Sequence, residues 1–293
     1  MRRLIILALI GLAAQLVDGS LGMAYGVTSS SLLLLFGIAP AVASASVHMA
    51  EVVTTAASGV SHLRFGNVDK QVVKKLILPG SIGAFTGAVF LGSIPGNLIK
   101  PYVSFFLLCL GFYVIYRFLF FRSIHSSGEK PAALTSKFFI PLGFIAGFFD
   151  STGGGGWGPI ATPVLLSKKM EARKVIGTVD TSEFAIALSA TLGFILTLGW
   201  TQFNWQWVIA LMVGGLVAAP IAAWLVRIIP SHLLGVLVGG MIIMTNTRTL
   251  MDTASIPHAG STVIYAVLMV LWLIGILYVW RKAAQSKRES TFN

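Results

Sequence analysis

Apolar residues run along this chain in long stretches broken by short turns, and no stretch alternates polar with apolar. The stretches fall at about 4–17, 21–38, 40–63, 72–93 and 98–121, then at about 138–149, 157–167, 175–198, 203–228 and 231–251. One more covers 257–281. Such runs read as helices in a bilayer, and the period-2 pattern of a membrane barrel is absent. A full crossing takes about 20 residues for about 30 Å of hydrocarbon. At about 1.5 Å per residue, 138–149 reaches only about 18 Å and 157–167 about 16 Å. The second of these also holds Pro159 and Pro163, which break helical bonding. The first two runs of each series are therefore expected to form a re-entrant helix hairpin with its tip inside the membrane, and the other three to cross it.

The two series align. LVDGSLGMAYG (16–26) lies over FFDSTGGGGWG (148–158), which pairs Asp18 with Asp150, Gly22 with Gly154, Tyr25 with Trp157 and Gly26 with Gly158. The offset (150 − 18 = 132) carries forward: Ser46 meets Thr178, His48 meets Asp180 and Glu51 meets Glu183. Further on the offset becomes 135, and Ile94-Pro95 meets Ile229-Pro230. The expected organisation is a first repeat at 1–122, a cytoplasmic linker at 123–136 (SIHSSGEKPAALTS), a second repeat at 137–252, and an extra transmembrane helix with a basic cytoplasmic tail at 253–293. The opening MRRLIILALIGLAAQ has the form of a signal peptide, but its partner in the second repeat is internal.

Three crossings per repeat is odd, so the second repeat is expected upside down. Charge agrees. Arg64, Lys70, Lys74 and Lys75 flank the turn between elements three and four of the first repeat, whereas LGWTQFNWQW in the second has no charge. Lys168, Lys169, Arg173 and Lys174 lie between elements two and three of the second repeat, whereas FGIAPAVAS in the first has none. The basic bias swaps loops, as inversion requires. Arg2 and Arg3 dissent, falling on the far side. The fold class is thus an all-α polytopic membrane protein with two inverted-topology repeats. Inverted repeats with broken helices are the mark of secondary transporters. The chain is 56% hydrophobic and 11% charged, where soluble domains carry about 25% charge. The net charge of +11 is explained by the basic loops and tail rather than by nucleic-acid binding. Cys109 is alone and reads as a buried packing thiol. Trp272, Tyr278 and Trp280 before Arg281 and Lys282 read as an interfacial anchor.

Chemistry concentrates at the tips. Irregular backbone at membrane depth persists only where protein or a water-filled cavity surrounds it. Free amides at a half-helix N-terminus attract anions, and glycine admits the ligand closely. Gly22, Tyr25 and Gly26 in one repeat, and Gly153, Gly154, Gly155, Gly156 and Trp157 in the other, are the candidate anion site. The GxGxxG match at 153–158 has neither a preceding strand nor a phosphate-loop lysine. Gly80, Gly83, Gly87, Gly143 and Gly214 read as helix packing. Hydroxyls of Thr28, Ser29, Ser30, Ser46, Thr162, Thr178 and Thr181 either ligate an oxyanion or back-bond their own helices. His48 and Glu51 share a helical face, as do Asp180 and Glu183, and charges at this depth face a cavity or a partner. Glu51 and Glu183 either carry a coupled proton or brace the tips; Asp18 and Asp150 either cap a half-helix or join the site. The five histidines are scattered, and the spacing shows no metal-ligand cluster and no Ser-His-Asp set.

DSTGGGGWGPIATPVLL, APAVASASVHMAEV with its partner IGTVDTSEF, and the GNVD turn at 66–69 resemble the TauE/SafE sulfite exporter family, also called the toluene sulfonate uptake family. The resemblance spans about 1–252. It implies movement of sulfite, thiosulfate, sulfonates or other organosulfur anions across the bacterial inner membrane. It also implies that Gly153 to Gly156 and the Ser46 and Thr178 helix starts line the anion path. The first tip departs from it, with GSLGMAYG in place of a glycine run. The expected function is an alternating-access secondary transporter, coupled to protons, with a small anion and lipid as partners and no cofactor. A passive anion channel on the same scaffold is the first alternative. A membrane enzyme or a non-transport assembly protein is the second.

Overall fold

The computed structural model describes residues 2–21, 23–120, 135–168, 170–225, 231–256 and 258–289. Gly22, Arg122, most of the linker (123–134), Lys169 and Ile229-Pro230 lie outside the described residues. Those described form eleven α-helices: α1 (Arg2–Leu21), α2 (Tyr25–Leu35), α3 (Pro40–Arg64), α4 (Lys70–Gly92), α5 (Gly96–Phe120), α6 (Ser136–Gly153), α7 (Trp157–Ser167), α8 (Ala172–Leu198), α9 (Trp205–Leu225), α10 (Ser231–Thr253) and α11 (His258–Glu289).

Local chemistry sets several boundaries. Pro40 occupies the first turn of α3, where a missing N–H costs nothing. Asp69, the last residue of GNVD, caps α4 by accepting from the amides of Gln71 (3.0 Å) and Val72 (3.2 Å). Pro159 sits in the first turn of α7 for the same reason as Pro40, so it starts the helix instead of breaking it.

Two expectations need correction. The leading helix of each series is not short. α6 has 18 residues and α1 has 20, which is about 27 and 30 Å of rise. The sequence DSTG that looked like a polar break continues α6 by another turn, until Gly154 at φ 72 ends it. Only α2 and α7, with 11 residues each, are half-length, at about 16 Å. Cys109 is exposed on α5 instead of packed inside.

The helices pair in a pattern that survives exchange of the two halves. α1 packs along α9 and α6 along α4, while α3 packs on α8 and α5 on α10. Exchange turns the first pair into the second and returns each of the others to itself. The registers are fixed by small residues. Gly83 faces Phe144 and Gly87 faces Phe148, so α4 and α6 run parallel. A Cβ on Gly87 would lie 2.5 Å from the Phe148 carbonyl, and one on Gly143 would lie 2.9 Å from the Pro79 ring. Gly59 beside Thr181, and Asn67 beside Gly177, make α3 and α8 antiparallel. Close backbone approach through small residues is how helices associate in lipid. α11 packs on α10, where the Trp272 indole donates to the Val236 carbonyl (2.9 Å); this tryptophan joins two helices instead of anchoring one at the interface.

Polarity is distributed as a bilayer demands. Leu78, Phe105, Leu196 and Val263 face outward, while Asp18, His48, Glu51, Asp150, Asp180 and Glu183 are buried. Among the described residues, four helical segments are long and apolar enough to cross a membrane by themselves: Lys70–Gly92, Gly96–Phe120, Arg173–Leu198 and Gly260–Lys282. α3, although 25 residues long, is not among them, since His48, Glu51 and a series of Ser and Thr interrupt its apolar run.

Candidate functional site

The two helix breaks meet. The α6–α7 break runs through Gly154 (φ 72) and Gly155 (φ 144), backbone conformations that side chains with a Cβ rarely adopt. The α1–α2 break includes Ala24 at φ 111, a strained value for a residue with a Cβ. Gly26, at the start of α2, sits against Gly155: a Cβ on Gly26 would lie 2.7 Å from the Gly155 Cα and 3.1 Å from Glu51 Oε1. Ser30 donates to the Gly154 carbonyl at 2.5 Å, tying one tip to the other. Tyr25 and Trp157, the paired aromatics, are fully buried. The Trp157 indole donates to the Val179 carbonyl (3.1 Å) and the Tyr25 hydroxyl to the Leu211 carbonyl (3.4 Å).

The amides that open α7 are not free. Gly156 and Trp157 donate to Asp150 Oδ1 at 2.7 and 2.9 Å. The Tyr25 amide donates to Asp18 Oδ1 at 3.3 Å. The picture of bare amides awaiting an anion is thereby corrected: an aspartate from the preceding helix of each hairpin already fills the positive end of the half-helix, where a carboxylate is favoured. The glycines serve the turn and the tip-to-tip contact.

Behind each tip lies a carboxylate centre. In the first, His48 Nε2 is 3.0 Å from Asp150 Oδ2 and 4.0 Å from Glu51 Oε2. His48 Nδ1 is 2.8 Å from the Ser44 carbonyl. Both ring nitrogens face acceptors. Either the ring carries two hydrogens or the proton between it and Asp150 sits on the carboxyl. Ser44, His48 and Asp150 thus do come together, which spacing had not revealed. The Ser44 hydroxyl, however, donates to the Ser151 carbonyl (2.7 Å) and lies 3.2 Å from Nδ1, farther than Ser44's own carbonyl. The set braces α3 against the end of α6.

In the second centre, Asp18, Asp180 and Glu183 each bring a carboxylate oxygen within 4.8 Å of the others. Asp180 occupies the place of His48. The Ser58 hydroxyl stands beside it, and Asp18 Oδ2 has no hydrogen-bond partner among the described residues. His62 Nε2 approaches Asp180 Oδ2 at 3.8 Å.

The remaining candidates divide. Ser29 and Thr28 are buried on α2 with unpartnered hydroxyls. Ser46 back-bonds the Val42 carbonyl (2.7 Å). Thr178 accepts from the Asp69 amide (2.9 Å), which secures the turn before α4, away from the tips. Thr162 is buried in α7. Gly153 ends α6 beneath Phe106. Sequence reasoning missed Ser44 and Ser151, for which the only signal was a serine one turn before His48, and Gln15, buried one turn before Asp18.

Comparison with known proteins places this geometry. The family model described as sulfite exporter TauE/SafE matches residues 7–249. The chain is 61% identical over 283 residues to the probable membrane transporter protein YtnM of Bacillus subtilis (strain 168), covering 96% of this chain and 94% of that protein. No solved structure matches. The chain, with its paired hairpins and buried carboxylates, belongs to the TauE/SafE sulfite exporter family.

Proposed function

We propose that the protein is a secondary transporter for small sulfur oxyanions or sulfonates in the bacterial inner membrane. The observation that carries this is the junction of the two tips, Gly26 on Gly155 with Ser30 on Gly154, beside two buried carboxylate centres. The two halves are inverted repeats on this reading. The parallel α4–α6 pair, with the antiparallel α3–α8 pair at its side, supports hairpins that enter from opposite faces.

The state described is closed at the tips. The anion reaches the α7 amides of Gly156 and Trp157 when the halves part and Asp150 turns away from them. Ser29, Ser30 and Thr28 then offer hydroxyl donors from α2. His48 holds the released Asp150 carboxylate, so opening the tip does not leave a bare charge in a low-dielectric interior, where the cost is several kcal/mol. Glu51 lies against both His48 and Gly26 and is the proton carrier that couples the movement.

Counterflow in proteoliposomes loaded with sulfite, thiosulfate and an alkyl sulfonate tests the reading. Uptake of labelled anion against its gradient, driven by an imposed proton gradient, is expected for at least one of them. Flux only down the gradient indicates the channel alternative. Ser29→Ala removes a buried hydroxyl that makes no other hydrogen bond and is expected to weaken anion binding several-fold in a protein that still folds. Unchanged affinity removes Ser29 from the site.

A further inference from the structure

We propose that Asp18, Asp180 and Glu183 bind a hard, oxygen-preferring metal cation inside the membrane. The three carboxylates come from two elements that the chain separates widely, α1 and α8, and their oxygens converge within 4.8 Å. Asp18 and Asp180 are each 1% exposed, and Glu183 is 7% exposed. Three carboxylates in a dry site of that size need either protons or a cation among them.

A second observation points to the ligand. Asp18 spends one oxygen on the Tyr25 amide and its other oxygen is buried without a hydrogen-bond partner among the described residues, while Asp180 has the Ser58 hydroxyl beside it. Gln15, on the same face of α1 one turn earlier, is 0% exposed, and neither its amide oxygen nor its amide nitrogen has a partner. The three carboxylates alone make an all-oxygen donor set, the set that suits Na⁺ or Ca²⁺ and disfavours softer transition metals.

The related centre in the other half says what is missing. There the imidazole of His48 stands between Asp150 and Glu51. Here the equivalent position is Asp180, so the protein supplies a third acid where its other half supplies the base. His62 comes within 3.8 Å of Asp180 but does not hydrogen-bond it, and its Nε2 is itself unpartnered. A bound metal ion takes the role that His48 plays in the first centre. As the second ion of the transport reading it would couple flux to a cation gradient. Binding is nonetheless read on the purified chain without any substrate, so it stands or falls apart from transport.

The full-length protein in detergent is titrated with NaCl, CaCl2 and MnCl2 against choline chloride at matched ionic strength. Heat of binding and unfolding temperature are both followed. Saturable binding of one ion per chain by Na⁺ or Ca²⁺, with a rise in unfolding temperature that choline does not give, is the expected result. Asp180→Asn and Asp18→Asn are expected to weaken that binding at least tenfold. Asp180→His, which copies the first centre, is expected to fold without the ion and to lose the response. His62→Ala is expected to keep it. Wild-type protein that binds none of the metal ions above choline overturns the proposal. So does a response that persists undiminished in folded Asp180→Asn, or one that disappears equally in folded His62→Ala.

Discussion

In one buried centre of this protein a histidine stands between two carboxylates; in the other an aspartate stands in its place. The surrounding parts are otherwise matched: an acid three residues further along the same helix, a second acid at the end of the preceding hairpin arm, and a half-length helix whose first amides that acid caps. In the first centre the Asp150 carboxylate is fully partnered, while Glu51 Oε2 makes no hydrogen bond. Asp150 has Gly156, Trp157 and His48 as partners, whereas among the described residues Asp18 has only the Tyr25 amide. Two sets of helices that pair alike can thus differ in electrostatics. One centre is built to stay in place and the other to take up a positive charge.

Three experiments sharpen or break this comparison. The largest effect is expected from His48→Ala. It strands Asp150 and Glu51 in a dry interior, and removal of one partner from a buried ion pair costs about 3–5 kcal/mol. Unfolding by denaturant or heat reads the loss, and a change within 0.5 kcal/mol would show that the first centre is not held by its imidazole. Next is Gly155→Ala, which combines a left-handed backbone with a methyl group driven into the tip of α2. About 2–4 kcal/mol of destabilisation is expected, with counterflow falling in step. The smallest is the difference between Asp150→Asn and Asp18→Asn measured without added metal salts. The first removes the carboxylate charge from His48 and costs about 1–2 kcal/mol. The second relieves repulsion in the acidic centre and is expected to be neutral or stabilising. Equal losses from both would erase the asymmetry.

Much of the architecture was legible in the sequence because lipid imposes it. Apolar runs located the helices, and Pro40 and the GNVD turn marked where two of them begin. The half-length of α7 was visible from the glycines and prolines around it, whereas the apolar run at 21–38 overruns α2 at both ends. The full length of α6 was not, because Asp150, Ser151 and Thr152 look like a loop in a membrane segment and in fact make its last turn, buried or half-buried. The site was legible within one helix and obscure between helices. His48 and Glu51 declared themselves by spacing. The contact of His48 with Asp150, 102 residues away, is set by the packing of α3 on the end of α6, which no local pattern encodes. The internal alignment matched Asp18 to Asp150 and His48 to Asp180, yet it could not say that the matched residues would touch. Cys109 was misplaced for a related reason. In a bilayer an apolar run does not distinguish the lipid face of a helix from its packed face.

The central claim is that the two halves move against each other about the meeting tips, and a reversible clamp across α3 and α8 tests it most directly. A Cβ on Gly59 would lie 3.7 Å from the Cβ of Thr181, the separation a disulfide requires. Gly59→Cys with Thr181→Cys, in a Cys109→Ser background, is reconstituted and assayed for anion counterflow before and after oxidation. Movement of the halves predicts that oxidation stops counterflow and that reduction restores it. Counterflow at the uncross-linked rate in fully oxidised protein would contradict it.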